Sequence, residues 1–476
     1  MADRADWLPR AALVVGAVTL ARLVALWFNK TDLFVDESQY WLWGERLDFG
    51  YYSKPPLIAW VIRAVTELAG SDAPFWVRLP GAIFHGATAL ILGAVSARLF
   101  SGRAAFWTAI TYATLPMVAL GSVLISTDTI MAPFFATALL FHIRAAETGR
   151  VVFAAVAGFC LGLAFLAKYA AVYFLIGVAL AAVFVPALRP GLRVWATMLI
   201  AFVVAILPNV LWNLSNDLTT VAHTVDNAGW VQHASWFANL NPSGLAEFFF
   251  SQFAVVGPVI FAALLFGYVR PGSVEGRGLA LFSLPVVVIV CVQAFLAQAY
   301  ANWGVAAYFA GTVLAVAVLL DRAPRLLPWS LAINGALSVL LPVLTVIAPV
   351  PERGGEPLLA RYLGRVDLSR QIIDAAGVAG ATSIVAGDRD ILADLFHTGK
   401  GSGLTFYAPT PKDRPRSYYE QTFPLPADAA GVLLVAGDAP ACAGAPVAEF
   451  DTGNGAHAGL ALRAWLLPKG CRDAGN

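Results

Sequence analysis

The feature that most constrains this fold is a series of long apolar segments separated by short polar connections. A helix needs about 20 mostly apolar residues to cross a bilayer. Hydrophobic residues make up 59% of the 476 residues and charged residues only 13%, which is roughly half the charged share of a soluble domain. The sequence therefore predicts an all-α polytopic membrane protein with about 11 spans, near residues 11–28, 76–97, 104–122, 128–146, 151–167, 170–187, 194–212, 246–268, 278–297, 304–320 and 326–348.

Arginine pairs stand in every second connection between these spans. They are Arg4 and Arg10, Arg98 and Arg103, Arg144 and Arg150, Arg189 and Arg193, Arg270 and Arg277, and Arg322 and Arg325. The opposite connections at 123–127, 213–245 and 298–303 contain no Lys or Arg. Because cytoplasmic loops are enriched in these residues, the pattern predicts a cytoplasmic N-terminus, with the first loop and the C-terminal region outside. It also favours dividing the apolar stretch 151–187 at Lys168, since one span fewer would invert every later pair.

The composition changes near residue 350 to that of a soluble domain. Residues 383–388 are typical of a short strand ending in a turn, 390–397 of a helix, and 431–435 of a second buried strand. This pattern predicts a small external α/β domain over 349–476. Residues 1–348 form the membrane domain, which includes a first external loop at 29–75.

Two further features of the external regions carry predictions. Residues 57–69 are too short to cross a bilayer, and Leu57, Trp60, Val61, Val65 and Leu68 share one helical face. This segment is expected to be a helix lying in the membrane interface. Cys442 and Cys471 both lie in the C-terminal domain, and they can form a disulfide if that domain faces an oxidising compartment.

The first external loop concentrates acids, aromatics and a lysine. Asp36 and Glu37 follow the first span, and Tyr40 lies one helical turn after Asp36, on the same face. Lys54 precedes two prolines, which fix the backbone and end any arriving helix. The loop aromatics on their own are also typical of an interfacial aromatic belt. The acidic pair together with a proline-locked lysine favours a functional site.

Other charged residues lie in or beside the predicted spans. Asp128 begins a span, where an acid caps a helix or acts in chemistry. Lys168 interrupts an apolar stretch, at a cost of about 2.5–3.5 kcal/mol on insertion scales, so we expect it to have a partner or an anionic ligand, or to snorkel to the interface. Arg22 and Arg78, near the outer surface, either reach an anionic head group or anchor their helices.

Several function classes lack their sequence signatures. HExxH, CxxC and GxSxG do not occur, and no GxGxxG follows either predicted strand, so zinc hydrolase, serine hydrolase and dinucleotide-binding functions have no support. The net charge is +1 and no basic tract occurs, which gives no indication of nucleic-acid binding.

Five segments resemble glycosyltransferase family 39, a membrane family with the GT-C fold that includes protein O-mannosyltransferases and bacterial lipid A aminoarabinose and galacturonic acid transferases. The segments read DESQYWLWGERLDFGYYSKPPLIAW, LISTD, LAKY, HTVDNAGW and ANWGVAAY. They cover roughly residues 11–320 and are most similar to the bacterial branch. The C-terminal domain contributes no motif.

The resemblance implies a periplasmic transfer of one sugar from a polyprenyl-phosphate donor to a lipid or glycan acceptor such as lipid A or the lipopolysaccharide core. It implies catalytic roles for Asp36 as the base, with its neighbour Glu37, and for Asp128. Donor-phosphate contacts are assigned to Lys54, Lys168, Arg78, Arg22 and Tyr52. Acceptor or sugar contacts are assigned to Tyr40, His223, Asp226 and Asn302. Attack opposite the leaving group would invert the anomeric centre.

One departure from the family bears on cofactors and substrate. Aminoarabinose transferases have a glutamate directly before the lysine, where it helps to bind a metal, whereas this chain has Ser53. We therefore expect no required cofactor, and the departure disfavours both a bound divalent metal and an aminoarabinose donor. The enzyme is expected in the bacterial inner membrane, in contact with membrane lipid. A transporter or flippase of lipid-linked sugars, a protein O-mannosyltransferase and a polymerase or ligase of surface glycans stay open as alternatives.

Overall fold

The computed structural model describes residues 6–229, 240–442, 444–468 and 471. The chain divides into two compact units. The membrane unit comprises Met1–Trp27, Ser53–Val61 and Arg78–Pro342. The C-terminal unit comprises Phe28–Tyr52, Ile62–Val77 and Val343–Asn476.

The α-helices up to residue 346 follow the apolar segments of the sequence. They are α1 (Trp7–Trp27), α2 (Val35–Gly44), α3 (Leu57–Ala69), α4 (Pro74–Leu99), α5 (Gly102–Thr114), α6 (Pro116–Gly121), α7 (Thr127–Thr148), α8 (Val151–Ala167), α9 (Tyr173–Phe184), α10 (Leu192–Ser215), α11 (Thr219–Ala228), α12 (Pro242–Val255), α13 (Pro258–Val269), α14 (Val274–Leu296), α15 (Ala307–Arg322) and α16 (Leu326–Val346). Short 3₁₀ turns occupy Tyr169–Val172, Pro186–Leu188 and Ala301–Gly304.

Six of the helices in the described residues are long and apolar enough to cross a membrane, namely α1, α4, α7, α10, α14 and α16. The pair α12 and α13 adds a seventh candidate if it is one broken span. A multi-pass, mostly helical membrane architecture is thus confirmed. The count of eleven stays a prediction.

The segment predicted as one span at 246–268 contains a bend of 114° between α12 and α13. Gly257 lies at the bend with φ +88°, a conformation that glycine adopts without steric cost. A Cβ at this position would overlap Asn334 Oδ1. The Asn334 side-chain amide donates to the Val256 carbonyl at 3.1 Å. Hydropathy alone does not indicate the bend, because it registers neither the backbone conformation nor this buried hydrogen bond.

The predicted division at Lys168 is confirmed. Helix α8 ends at Ala167, Lys168 is extended with φ −154° and ψ 129°, and a 3₁₀ turn leads into α9. The predicted span 104–122 is likewise interrupted, because Pro116 lies at the first turn of α6 and ends α5.

Residues 57–69 form the predicted helix, α3. The side chains that are most buried in the protein do not lie on the apolar face that the sequence assigned to the membrane interface. Ile58, Ala59 and Ile62 are fully buried, whereas Leu68 is 90% exposed and Trp60 is half-buried. Arg63 and Glu67 form the expected i,i+4 ion pair at 2.5 Å. The less buried apolar face is the one that the sequence assigned to the membrane interface.

The C-terminal region contains the predicted α/β fold. Helices α17 (Arg365–Val378), α18 (Arg389–Thr398) and α19 (Tyr418–Thr422) accompany the strands β1 (Glu352–Arg353), β2 (Glu356–Pro357), β3 (Ser383–Ala386), β4 (Thr405–Tyr407), β5 (Val432–Ala436), β6 (Ala448–Glu449) and β7 (Arg463–Leu466). The strands β1 and β2 form an antiparallel pair, and the others form a sheet of order β4-β3-β5-β7-β6. Strand β3 is parallel to β4 and β5, and β7 is antiparallel to β5 and β6. Buried residues of β3 and β5 supply the core, as expected for strands covered on both faces.

Cys442 and Cys471 are joined by a disulfide, with their Cα atoms 5.7 Å apart. This confirms the predicted pairing. Cys160 and Cys291 are free thiols within helices α8 and α14.

The first loop belongs largely to the same compact unit as residues 343–476, whereas the sequence grouped it with the membrane domain. Chain order suggested that grouping, because the loop connects two predicted spans. The contacts that decide it join residues about 350 positions apart, such as Gln39 and Arg389, and these cannot be seen in the sequence.

Candidate active site

Helix α2 presents the acidic pair in two different environments. Glu37 is only 1% exposed, and its Oε2 accepts the Phe34 backbone N–H at 2.8 Å, as the N3 acid of a capping box does. The Asp36 side chain is 48% exposed. Glu37 therefore holds the start of the helix, and Asp36 is the accessible carboxylate of the pair.

Asp36 is paired with an arginine of the C-terminal domain. One Arg389 guanidinium nitrogen lies 2.5 Å from Asp36 Oδ1, and Arg389 Nε donates to Gln39 Oε1 at 2.9 Å. Asp36 and Gln39 are one turn apart on the same face of α2. Burial lowers the pKa of Arg389, but the adjacent Asp36 outweighs it and the pKa is raised overall. The C-terminal domain has no recognisable motif, so sequence reasoning missed this residue.

The tyrosines of the first loop, together with Trp41 and Trp43, are packed inside the protein. The Trp43 ring stacks on Tyr51 with centroids 4.7 Å apart, and Tyr418 contacts Trp43 edge-on. The Tyr51 hydroxyl donates to the Trp43 carbonyl at 2.9 Å. Tyr40 is 5% exposed and its ring packs against Trp43. These rings stabilise the loop through burial and are not an interfacial belt, because their faces are covered by other side chains.

A second polar cluster lies in the membrane unit. Lys168 Nζ donates to both carboxylate oxygens of Asp128, at 2.7 and 2.8 Å, and the Asn302 amide donates to Asp128 Oδ2 at 3.2 Å. The Lys168 and Asp128 side chains are 16% and 12% exposed. The partner expected for Lys168 is therefore Asp128, brought beside it by the break between α8 and α9. Ser126, rather than Thr127 or Asp128, caps α7.

Tyr169, next to Lys168 in the chain, belongs to a separate group of hydrogen-bonded residues that sequence reasoning missed. The Tyr169 hydroxyl donates to Asn209 Oδ1 at 3.0 Å and accepts from the Asn213 amide at 3.3 Å. Asn209 and Asn213 are one turn apart in α10 and almost fully buried. Two asparagines at i and i+4 in an apolar span were the available signal, since buried amides need polar partners.

The other predicted phosphate contacts have distinct surroundings. Arg22 is 4% exposed and donates to Ser338 Oγ, the Ala113 carbonyl and Ser122 Oγ. These bonds tie α1 to three other segments, which favours the anchoring role that the sequence left open. Arg78 is fully buried in α4.

Lys54 and Tyr52 lie close together in the chain but have different environments. Lys54 is half-buried in the bend before α3. The Tyr52 hydroxyl donates to the Pro415 carbonyl at 3.0 Å.

His223 and Asp226 lie on α11, where His223 Nε2 is 3.4 Å from the Asn227 amide and Asp226 is exposed. Trp230, the last residue of the motif that contains them, lies outside the described residues. No group of three or more His, Cys, Asp or Glu side chains with metal-binding geometry occurs within the described ranges.

Comparisons with known proteins place these features in a family. A family profile described as dolichyl-phosphate-mannose-protein mannosyltransferase matches residues 53–212. The lipid A galacturonosyltransferase RgtD of Rhizobium johnstonii is 46% identical over 438 residues, which are 90% of this chain and 90% of that protein. The chain belongs to glycosyltransferase family 39. It is therefore a membrane glycosyltransferase.

The fold of this family 39 enzyme is also that of solved structures. ArnT from Cupriavidus metallidurans in the apo state matches with a TM-score of 0.56 and 14% identity, over 84% of this chain and 86% of that one. The same protein bound to undecaprenyl phosphate matches with a TM-score of 0.54 and 15% identity, over 84% and 86%. The GT-C fold expected from the sequence motifs is thereby confirmed.

Proposed function

We propose that this enzyme transfers a single galacturonic acid residue from a polyprenyl-phosphate donor to lipid A. The observation that carries the proposal is the 46% identity with a lipid A galacturonosyltransferase over 90% of both chains. Undecaprenyl phosphate bound to a protein of the same fold supports a polyprenyl-phosphate carrier. Ser53, in place of the glutamate of the aminoarabinose branch, supports a different sugar.

In the proposed reaction, an acceptor hydroxyl oxygen attacks the anomeric carbon of the donor sugar. The new bond joins that carbon to the acceptor oxygen, and the bond from the carbon to the phosphate oxygen breaks. The hydroxyl proton passes to the Asp36 carboxylate, and the bond electrons leave with polyprenyl phosphate. The accessibility of Asp36 and the burial of Glu37 support Asp36 as the base. Attack from the face opposite the phosphate inverts the anomeric configuration.

The leaving phosphate gains negative charge as the bond breaks, so a nearby cation lowers the barrier. Lys54 is the first choice for that cation, since its ammonium is presented by a short bend held by two prolines. Lys168, Arg78, Arg22 and Tyr52 remain secondary assignments. Lys168 acts through Asp128 in this proposal, because the two form one ion pair that also binds Asn302.

We further propose an inner-membrane location with a cytoplasmic N-terminus and a periplasmic C-terminal domain. The arginine pairs in alternate connections support this orientation. The Cys442–Cys471 disulfide supports it independently, since disulfides persist in the periplasm and are rare in the cytosol. A reporter that is active only in the cytoplasm, fused after Asn476, is expected to remain silent. A strong signal would overturn the orientation.

The function is tested with purified enzyme, polyprenyl-phosphate galacturonic acid and lipid A. Mass spectrometry is expected to find lipid A heavier by one hexuronic acid residue, with release of polyprenyl phosphate. Lipid A from cells that lack the gene should lose the same increment. Transport of the donor across a vesicle membrane without formation of glycosylated lipid A would favour the flippase alternative. Addition of several sugars to one acceptor would favour a polymerase.

A further inference from the structure

Helix α18 places a cation where its own backbone disfavours one. Arg389 is the first residue of α18, and the N-terminus of a helix carries a partial positive charge that favours acids. Asp388 and Asp390 satisfy this preference, and Asp388 caps the helix by accepting the Asp390 N–H at 2.7 Å. The position of Arg389 is explained by its partners on α2, Asp36 and Gln39.

Contacts near the C-terminal end of α18 also hold it against α2 and against the segment around Asp72. His397 Nε2 lies 2.9 Å from the Asp72 carbonyl oxygen, and the His397 ring packs edge-on against Trp41 of α2. Lys400 Nζ lies 2.6 Å from Asp72 Oδ2 and 2.9 Å from Glu45 Oε2. With contacts at both ends, α18 is fixed against α2, so the guanidinium is presented from a rigid element.

Arg389 contacts one of the two oxygens of the Asp36 carboxylate. Arg389 binds Asp36 through Oδ1, and Oδ2 accepts no hydrogen bond from any of the described residues. Gln39 binds the guanidinium at Nε and so sets its plane. An arginine held in this way fixes the carboxylate rotamer, with one oxygen anchored and the other accessible to a proton donor.

From these contacts we infer that Arg389 is a positioning residue for the base Asp36, and that the C-terminal domain thereby completes the catalytic apparatus. The inference rests on the proposed function of Asp36. Arg389 holds Oδ1 and leaves Oδ2 to take the acceptor proton, with no bond made or broken at the arginine itself.

The test compares Arg389→Gln, Arg389→Lys and Asp36→Asn in the purified enzyme, with the donor varied up to saturation at a saturating concentration of acceptor. Displacement of a reacting group by about 1 Å costs on the order of 10²-fold in rate, so Arg389→Gln should lower kcat by roughly 10–100-fold. The KM for the donor should stay within about threefold of wild type, because the arginine makes no binding contact with the donor in this account. Arg389→Lys, which retains the charge, should recover part of kcat.

A double variant separates positioning from a general structural role. If Arg389 acts through Asp36, adding Arg389→Gln to Asp36→Asn should change kcat by less than about threefold, since coupled residues are not additive. A merely structural role would lower kcat by the same factor in both backgrounds. Arg370→Gln is the matched control, because Arg370 is an exposed arginine of α17 in the same domain, 3.8 Å from Asp367, and it should behave as wild type.

The outcomes distinguish the two proposals. Normal kcat in Arg389→Gln with an inactive Asp36→Asn overturns the positioning role and leaves the function intact. A near-normal kcat for Asp36→Asn would show that Asp36 is not the catalytic base. If Arg389→Gln fails to fold, Gln39→Met tests the same contact, because it removes the acceptor of Arg389 Nε; a kcat equal to wild type there would overturn the inference.

Discussion

The ion pair between Lys168 and Asp128 allows a stability prediction that does not depend on the reaction. Both side chains are more than four-fifths buried, and the ammonium contacts both carboxylate oxygens. Removing one partner of a buried pair leaves an uncompensated charge and costs about 3–5 kcal/mol. Replacing both partners by neutral groups costs much less, because no charge then remains to be desolvated.

The expected change in Tm follows from the number of residues in the membrane unit. At about 2.1 cal/mol/K per residue, roughly 300 residues have a melting entropy of about 0.6 kcal/mol/K. A loss of 3–5 kcal/mol therefore lowers Tm by roughly 5–8 °C. We expect this shift for Asp128→Asn and for Lys168→Met, and a smaller one for the double variant.

Thermal unfolding of detergent-purified variants provides the assay. Arg98→Met is the matched control in the same unit, because Arg98 forms an exposed ion pair with Glu147. Exposed pairs contribute about 0–1 kcal/mol, so its Tm should change by less than about 2 °C. Equal Tm values for Asp128→Asn and wild type, or a double variant that loses the sum of the single losses, would refute the reasoning.

Three further predictions concern other parts of the chain. The disulfide closes a loop with a sequence separation of 29 residues, so Cys442→Ser should destabilise the C-terminal domain by roughly 3–4 kcal/mol; an unchanged Tm under oxidising conditions would contradict this. Burial, together with Arg365, lowers the pKa of His457, so the unfolded chain binds its proton at a higher pH than the folded chain does. The domain should therefore be fully stable above about pH 6.5 and lose stability as the pH falls below it, and His457→Gln should flatten that fall in a pH series of melting curves. Lys54→Met should impair use of the polyprenyl-phosphate donor while acceptor binding persists, which equilibrium binding and initial rates can separate.

Much of the helical architecture of the membrane part could be predicted because the apolar length of a segment is a local property of the sequence. The break at Lys168 was visible as a charge in an apolar stretch, and the disulfide as two cysteines in one small C-terminal domain. The bend at Gly257 was not visible, since it depends on Asn334, which lies in a different helix.

The candidate site was likewise predictable only in part. Motifs identified Asp36, Asp128 and Lys168 individually, but the pairing of Asp128 with Lys168 depends on how α7 and α8 pack. Arg389 could not be found at all, because an arginine in a domain without motifs resembles any surface arginine. Only the tertiary fold brings it to α2.

The central claim is that Asp36 is the base of a galacturonic acid transfer to lipid A. The most direct measurement is single-turnover transfer from polyprenyl-phosphate galacturonic acid to lipid A by wild type and Asp36→Asn, at matched folding by thermal unfolding. General-base catalysis contributes about 10²–10⁴-fold, so the variant should be slower by that factor, with donor binding retained. Transfer at a near-normal rate by folded Asp36→Asn would contradict the account and leave Glu37 or Asp128 as the remaining carboxylates to test.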